Sequence, residues 1–130
     1  MSPQHRPPLS DAEWAVMKAV WDQGPLALGD IYERLSRSHY WAYSTVKTLV
    51  RRMVEKGWLA FRPVGNSFLY SAAVERQSAI RGAIREFTDR VLGGALAPFL
   101  SYYAEETDIS DEELAQLEEL VKRRRRKGRP

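Results

Sequence analysis

The hydrophobic period of this chain changes at Gly57. Upstream, in WAYSTVKTLVRRMVEKGWL (Trp41 to Leu59), Val46, Leu49, Val50, Met53 and Val54 recur at i, i+3, i+4, i+7 and i+8. That spacing lays one apolar stripe along an α-helix. Downstream, Leu59 and Phe61, then Phe68 and Tyr70, fall at every second position, the period of strands. A two-stranded hairpin alone is not stable in water. It has to lean on helices, and the helices nearest to hand are those that precede it.

The first of these is well signalled. Ser10 and Glu13 form an S-x-x-E capping box, and Leu9 and Trp14 stand where a hydrophobic staple would. Trp14, Met17 and Trp21 share one face, with Val16 and Val20 beside them, and Gly24-Pro25 ends the helix. A second helix is expected over about Leu28 to Ser36, with Ile31, Tyr32 and Leu35 inward and a turn over Ser36 to Tyr40. The third runs from about Tyr43 to Lys56, with Gly57 as its C′ residue. Strands over Trp58–Arg62 and Ser67–Ser71 follow, joined by a turn of Pro63, Val64, Gly65 and Asn66. Three helices and a hairpin make a winged helix-turn-helix, so the fold class is mainly α with a small β-hairpin.

From Val74 the chain returns to helical spacing. Ile80, Ile84, Phe87 and Val91 step by four, three and four, a heptad-like seam. Gly93-Gly94 interrupts it, and Leu96, Phe99, Leu100 and Tyr103 suggest a short helix with Pro98 in its first turn. Ser110 and Glu113 repeat the capping box, and Leu114, Leu117, Leu120 and Val121 give the last helix its apolar stripe. Three such helices cannot enclose their own apolar faces. They either fold back on the first domain or meet the same segment of a second chain; the continuous seam favours the second chain. Ile80, Ile84, Phe87, Val91, Phe99, Leu100, Leu114 and Leu117 are then the dimerisation residues. The expected organisation is a flexible lead-in over 1–8, a winged-helix domain over 9–73, a helical dimerisation region over 74–121 and a basic tail over 122–130, read as a solvated end.

The third helix carries the functional signal. With its aliphatic stripe inward, Thr45, Lys47, Thr48, Arg51, Arg52 and Lys56 face outward, opposed only by Glu55. A DNA major groove admits an α-helix, Lys and Arg donate to guanine O6 and N7, and Thr meets either a polar base edge or the thymine methyl. Residues near the helix N-terminus reach deepest. Ser44, Thr45, Lys47 and Thr48 are therefore the candidate base readers. Trp41, Tyr43, Arg51, Arg52, Arg62, Asn66 and Ser67 are candidates for the DNA backbone, the last three from the hairpin tip acting as a wing. The net charge of +3 and a pI near 9.3 suit a polyanionic partner.

Other chemistries find little here. There is no cysteine, which removes disulfides, thiolate metal sites and a Cys nucleophile. His5 and His39 are far apart in sequence, so neither a His metal site nor a Ser-His-Asp triad is expected. No phosphate loop or carboxylate pair points to an enzyme, and no cofactor or metal is expected. No run is apolar and long enough to span a membrane. The rival reading is a winged-helix protein-interaction module without sequence-specific DNA binding.

The segments LSDAEWAVMKAVW, WAYSTVKTLVRRMVEKGWL and FRPVGNSFLYSA, in that order, resemble the BlaI/MecI/CopY family of bacterial repressors, the penicillinase-repressor type, over about Leu9 to Val121. The pattern W-x-x-x-T-V/I-x-T-L-x-x-R-L/M-x-x-K-G carries most of the likeness. The resemblance implies a cytoplasmic, nucleoid-associated homodimer that blocks transcription from a palindromic operator. On the reading helix it points to Ser44, Thr45, Lys47, Thr48 and Arg52. It also implies a sensor or protease that relieves repression. Relatives often have Ser then Pro where this chain has Ala42-Tyr43, and Arg where it has Lys47. Some relatives are cut at an Asn-Phe bond that this chain lacks, its nearest local equivalent being Ser101-Tyr102, and the cysteine motif of copper-responsive relatives is missing.

Overall fold

The computed structural model describes residues 6–93 and 95–128. His5, Gly94 and the last two residues of the expected basic tail, Arg129 and Pro130, lie outside the described residues. Along the chain come α1 (Asp11–Gln23), β1 (Leu26–Ala27), α2 (Leu28–Ser36), α3 (Tyr43–Glu55), β2 (Leu59–Val64), β3 (Ser67–Ala72), α4 (Arg76–Leu92), α5 (Ala97–Glu106) and α6 (Asp111–Gly128). The chain divides into two units, Met1–Ile84 and Arg85–Pro130.

In the first unit α1 begins as its capping box requires. The Ser10 hydroxyl accepts from the Glu13 amide at 3.2 Å, and the Ser10 amide donates to Glu13 Oε1 at 2.9 Å. Gly24 closes the helix at φ 77, a region that favours glycine. Val16, Met17 and Val20 of α1 meet Ile31 and Leu35 of α2 and Val46, Val50 and Met53 of α3 in one core, completed by Trp58, Leu59 and Ala79. Burial of these side chains at about 1.5–3 kcal/mol each is what holds three short helices together. Leu49, expected in the buried stripe, is half-buried at its edge.

The sheet has three antiparallel strands in the order β1-β3-β2. The short β1, with Leu26 opposite Tyr70 and Ala27 opposite Leu69, was not foreseen, because two residues carry no period. The hairpin is also tighter than expected. Pro63 and Val64 belong to β2, opposite Phe68 and Ser67, and only Gly65 and Asn66 form the turn. Gly65 has φ 60 and Asn66 does not have positive φ, the pattern of a II′ turn with glycine first. Pro63 is tolerated because β2 is an edge strand, where a missing N–H need break no ladder.

Residues 1–5 of the lead-in expected as flexible over 1–8 lie outside the described residues, and the next two are held by contacts. Arg6 Nε donates to the Gly57 carbonyl at 2.9 Å, and its guanidinium lies 5.8 Å from the Trp58 ring centre. The Trp58 indole N–H, buried with its ring, donates to the Pro7 carbonyl at 3.1 Å. The end of α3 leaves polar groups at the edge of the core, and Arg6 and Pro7 answer them.

The division between units falls inside α4 rather than at 73/74. Ala79 is buried in the first core, the Trp21 indole N–H donates to the Val74 carbonyl at 2.9 Å, and Arg76 pairs with Asp22. The start of α4 thus belongs with the winged helix.

In the second unit Phe99 lies 5.7 Å from Phe87 and 6.0 Å from Tyr103 between ring centres. α6 opens on the second capping box, the Glu113 amide donating to Ser110 Oγ at 3.1 Å. It does not stop at Val121: the basic run continues the helix as far as Gly128, with Lys122 to Lys127 exposed along it. Acidic Asp111, Glu112 and Glu113 in the first turn and Arg125, Arg126 and Lys127 in the last both suit the helix dipole. α5 and α6 bury no residue.

Candidate nucleic-acid interface

α3 is built as a helix with two chemistries. Val46, Val50 and Met53 are fully buried, while Ser44, Thr45, Lys47, Arg51 and Arg52 are exposed and Thr48 is half-buried. Its N-cap, Ala42, supplies no side-chain hydrogen bond, although its carbonyl accepts from the Thr45 amide at 3.1 Å. Lys47 makes no ion pair among the described residues. Arg51 reaches Glu55 one turn on at 3.6 Å, with both side chains well exposed, a weak contact.

Lys56 does not belong to this front, against expectation. It caps the end of α3 and turns to α1, where its Nζ donates to Glu13 Oε2 at 2.9 Å. Glu13 is 3% exposed. Burial pushes its carboxyl pKa up, but the Ser10 amide and the Lys56 ammonium outweigh burial and hold it below the ordinary value of 4.5. Lys56 is therefore a structural cation.

The hairpin faces α3 across a cleft of about 660 Å³. Tyr43, Lys47, Thr48 and Arg51 line it on the helix side and Asn66 and Ser67 on the wing side. Six of the residues singled out from the sequence thus meet around one concavity. Ser44, Thr45 and Arg52 remain outside it on the exposed front of α3. Arg62 pairs with Leu69 and lies on the face of the hairpin opposite Phe61 and Tyr70, so it too is outside the cleft. Trp41 is half-buried against the core with its ring 4.3 Å from His39, and Tyr43 packs edge-on against Tyr32 at 5.3 Å.

The sequence reading missed the apolar wall of this cleft. Phe61, Phe68 and Tyr70 stand on one sheet face, with Phe61 and Phe68 perpendicular at 5.2 Å, and Leu28 and Val54 join them. The every-second spacing of Leu59 with Phe61 and of Phe68 with Tyr70 was visible; that Phe61 and Phe68 extend beyond the core was not. The expected dimerisation residues lie elsewhere. Ile80, Ile84, Phe87, Val91, Leu100, Leu114 and Leu117 are exposed and Phe99 is half-buried.

A family described as penicillinase repressor matches residues 9–123. The chain belongs to the penicillinase repressor family. Its members are DNA-binding transcriptional repressors, not enzymes. The Bacillus licheniformis penicillinase repressor is 27% identical over 115 residues, 88% of this chain and 90% of that protein. The methicillin resistance regulatory protein MecI of Staphylococcus aureus (strain N315) is 24% identical over 116 residues, 89% of this chain and 94% of that one. The DNA-binding domain of the repressor BlaI superposes with a TM-score of 0.51 at 29% identity, over 55% of this chain and 88% of that domain. The B. licheniformis BlaI monomer, solved in complex with the blaP half-operator, gives the same TM-score and identity over 56% of this chain and 89% of that one. The winged helix inferred from the period change is the fold of this family. Among the described residues no helix is long and apolar enough to cross a membrane, and no group of three His, Cys, Asp or Glu side chains could hold a metal.

Proposed function

We propose that this penicillinase-repressor family chain reads a pseudo-palindromic operator as a homodimer, each protomer laying α3 in a major groove. One observation carries the reading. The exposed front of α3 is hydroxyl and cationic, and its only acidic neighbour, Glu55, is paired with Arg51. Ser44, Thr45, Lys47 and Thr48 read base edges. Arg51, Arg52 and the uncapped first turn of α3 take phosphates. Asn66 and Ser67 bring the wing tip to the backbone, with Arg62 at its outer face and Tyr43 at the helix entry; Trp41 contributes by packing that entry.

The uncovered seam of the helical region supports the second protomer. Val91 is 57% exposed and Ile84 58%, and a single chain leaves the stripe open. Two reading helices then address grooves roughly 34 Å apart. Repression is steric, in the cytoplasm, and release follows loss of the dimer. A sensor protease acting at Ser101-Tyr102 must first unwind α5, in which that bond lies.

The test is competition binding to a duplex from the chain's own upstream region. Displacement by excess unlabelled specific duplex, but not by random duplex, is the expected result. Equal displacement by both favours the protein-interaction alternative.

A further inference from the structure

We propose that the cleft between α3 and the wing is a binding site for a small aromatic carboxylate, and that filling it removes Lys47 and Arg51 from DNA. The binding half stands on the cleft alone; the regulatory half rests on the reading role given to α3 above.

The cleft's volume, about 660 Å³, lies in the range of small-molecule pockets. One wall is apolar, made of Leu28, Val54, Phe61, Phe68 and Tyr70. Phe61 is 50% and Phe68 49% exposed, so their rings present uncovered apolar surface to the opening. DNA does not answer this wall. Its backbone brings phosphates, which want donors, and the Phe61 and Phe68 rings offer none. A flat apolar body does answer it, by stacking edge or face against rings already set perpendicular to each other.

The opposite rim fixes the sign of the ligand. Lys47 has no ionic partner among the described residues, and Arg51 holds Glu55 only at 3.6 Å. A carboxylate can take Lys47 and compete with Glu55 for Arg51. A cation would find only Glu55, already engaged. Thr48, Asn66 and Ser67 supply further polar groups on the lining. Gly29 of α2 also lines the cleft, and a Cβ built on it meets nothing within 4 Å. Because Lys47, Thr48 and Arg51 serve both the cleft and the DNA front, one occupant excludes the other.

The probe is 2-naphthoate, titrated into the full chain and followed by amide chemical shifts. Saturable shifts are expected around Lys47 to Arg51 and Phe61 to Tyr70, with binding of the uncharged 2-naphthalenemethanol about tenfold weaker. Phe68→Thr keeps a β-branched residue on the strand and removes part of the wall. Gly29→Leu adds a bulky side chain to the lining from a helical position. Each should weaken naphthoate about tenfold with an unchanged thermal midpoint. Naphthoate should also raise the Kd of wild type for a labelled upstream duplex and leave that of Phe68→Thr unmoved. Absence of saturable shifts, shifts confined to residues 87–121, or equal binding of the alcohol would overturn the site. Naphthoate bound as expected by a chain that holds no duplex would uphold the site and sink the DNA reading. Duplex held tightly and not displaced by saturating naphthoate would overturn the regulatory half.

Discussion

Glu13 is the one buried carboxylate among the described residues, and it decides where Lys56 goes. Its cap bond to Ser10 and its bond to Lys56 join the start of α1 to the end of α3. Glu13→Gln keeps the shape and removes the charge, and should lower stability at pH 7 by about 1–2 kcal/mol. The pH dependence follows from a carboxyl pKa depressed below 4.5. The folded chain binds the proton less readily than the unfolded one, so the stabilisation is present above pH 4.5. It is lost as pH falls through the lowered folded value. Denaturant melts of both variants from pH 7 to pH 3 should therefore converge on the acid side. On the front of α3, Lys47→Ala should cost on the order of 1–3 kcal/mol at one base position per half-site. Arg51→Ala should weaken all sequences alike and lower the slope of log K against log salt by about one. Binding titrations over a salt series with matched and scrambled duplexes separate the two.

Elements differ in how far they could be read from the residues. α1 and the course of α3 followed from capping and period: Ser10 and Glu13 marked one start, and Gly57, at φ 87, marked the other end. β1 was illegible because Leu26 and Ala27 owe their strand to pairing with Tyr70 and Leu69, a long-range event. The hairpin was read one step too loose at Pro63 and Val64, since proline signals a turn locally while an edge strand accepts it. Lys56 was misplaced because sequence spacing shows which helix face a residue shares, not a partner forty-three positions away. The wing turn yields its own prediction. Gly65→Ala places a side chain at φ 60 and should destabilise the hairpin by about 1 kcal/mol. A lowered thermal midpoint with weaker operator binding would show it. On α4, Phe87→Asp leaves the first core intact, because Phe87 takes no part in it. Sedimentation velocity should find wild type as a dimer and Phe87→Asp as a folded monomer.

At the scale of the whole molecule, the proposed reading surface belongs to the first unit, and the exposed apolar stripe has Ile80 and Ile84 in that unit and its remaining residues in the second. Local chemistry made the winged helix legible, because its core residues lie on three helices close in sequence. The seam was legible as a pattern of spacing, but a single sequence does not display what covers it. The extension of α6 through the basic run was hidden for another reason. Arg and Lys form helices well, yet a charge run also reads as a solvated end. The most direct test of the central claim is selection of duplexes from a random pool by wild type and by Lys47→Ala. Wild type should enrich a two-fold symmetric motif with half-sites one helical turn apart, and Lys47→Ala should lose preference at one position in each half. A motif unchanged by Lys47→Ala, or no motif from wild type, would contradict a reading helix at α3.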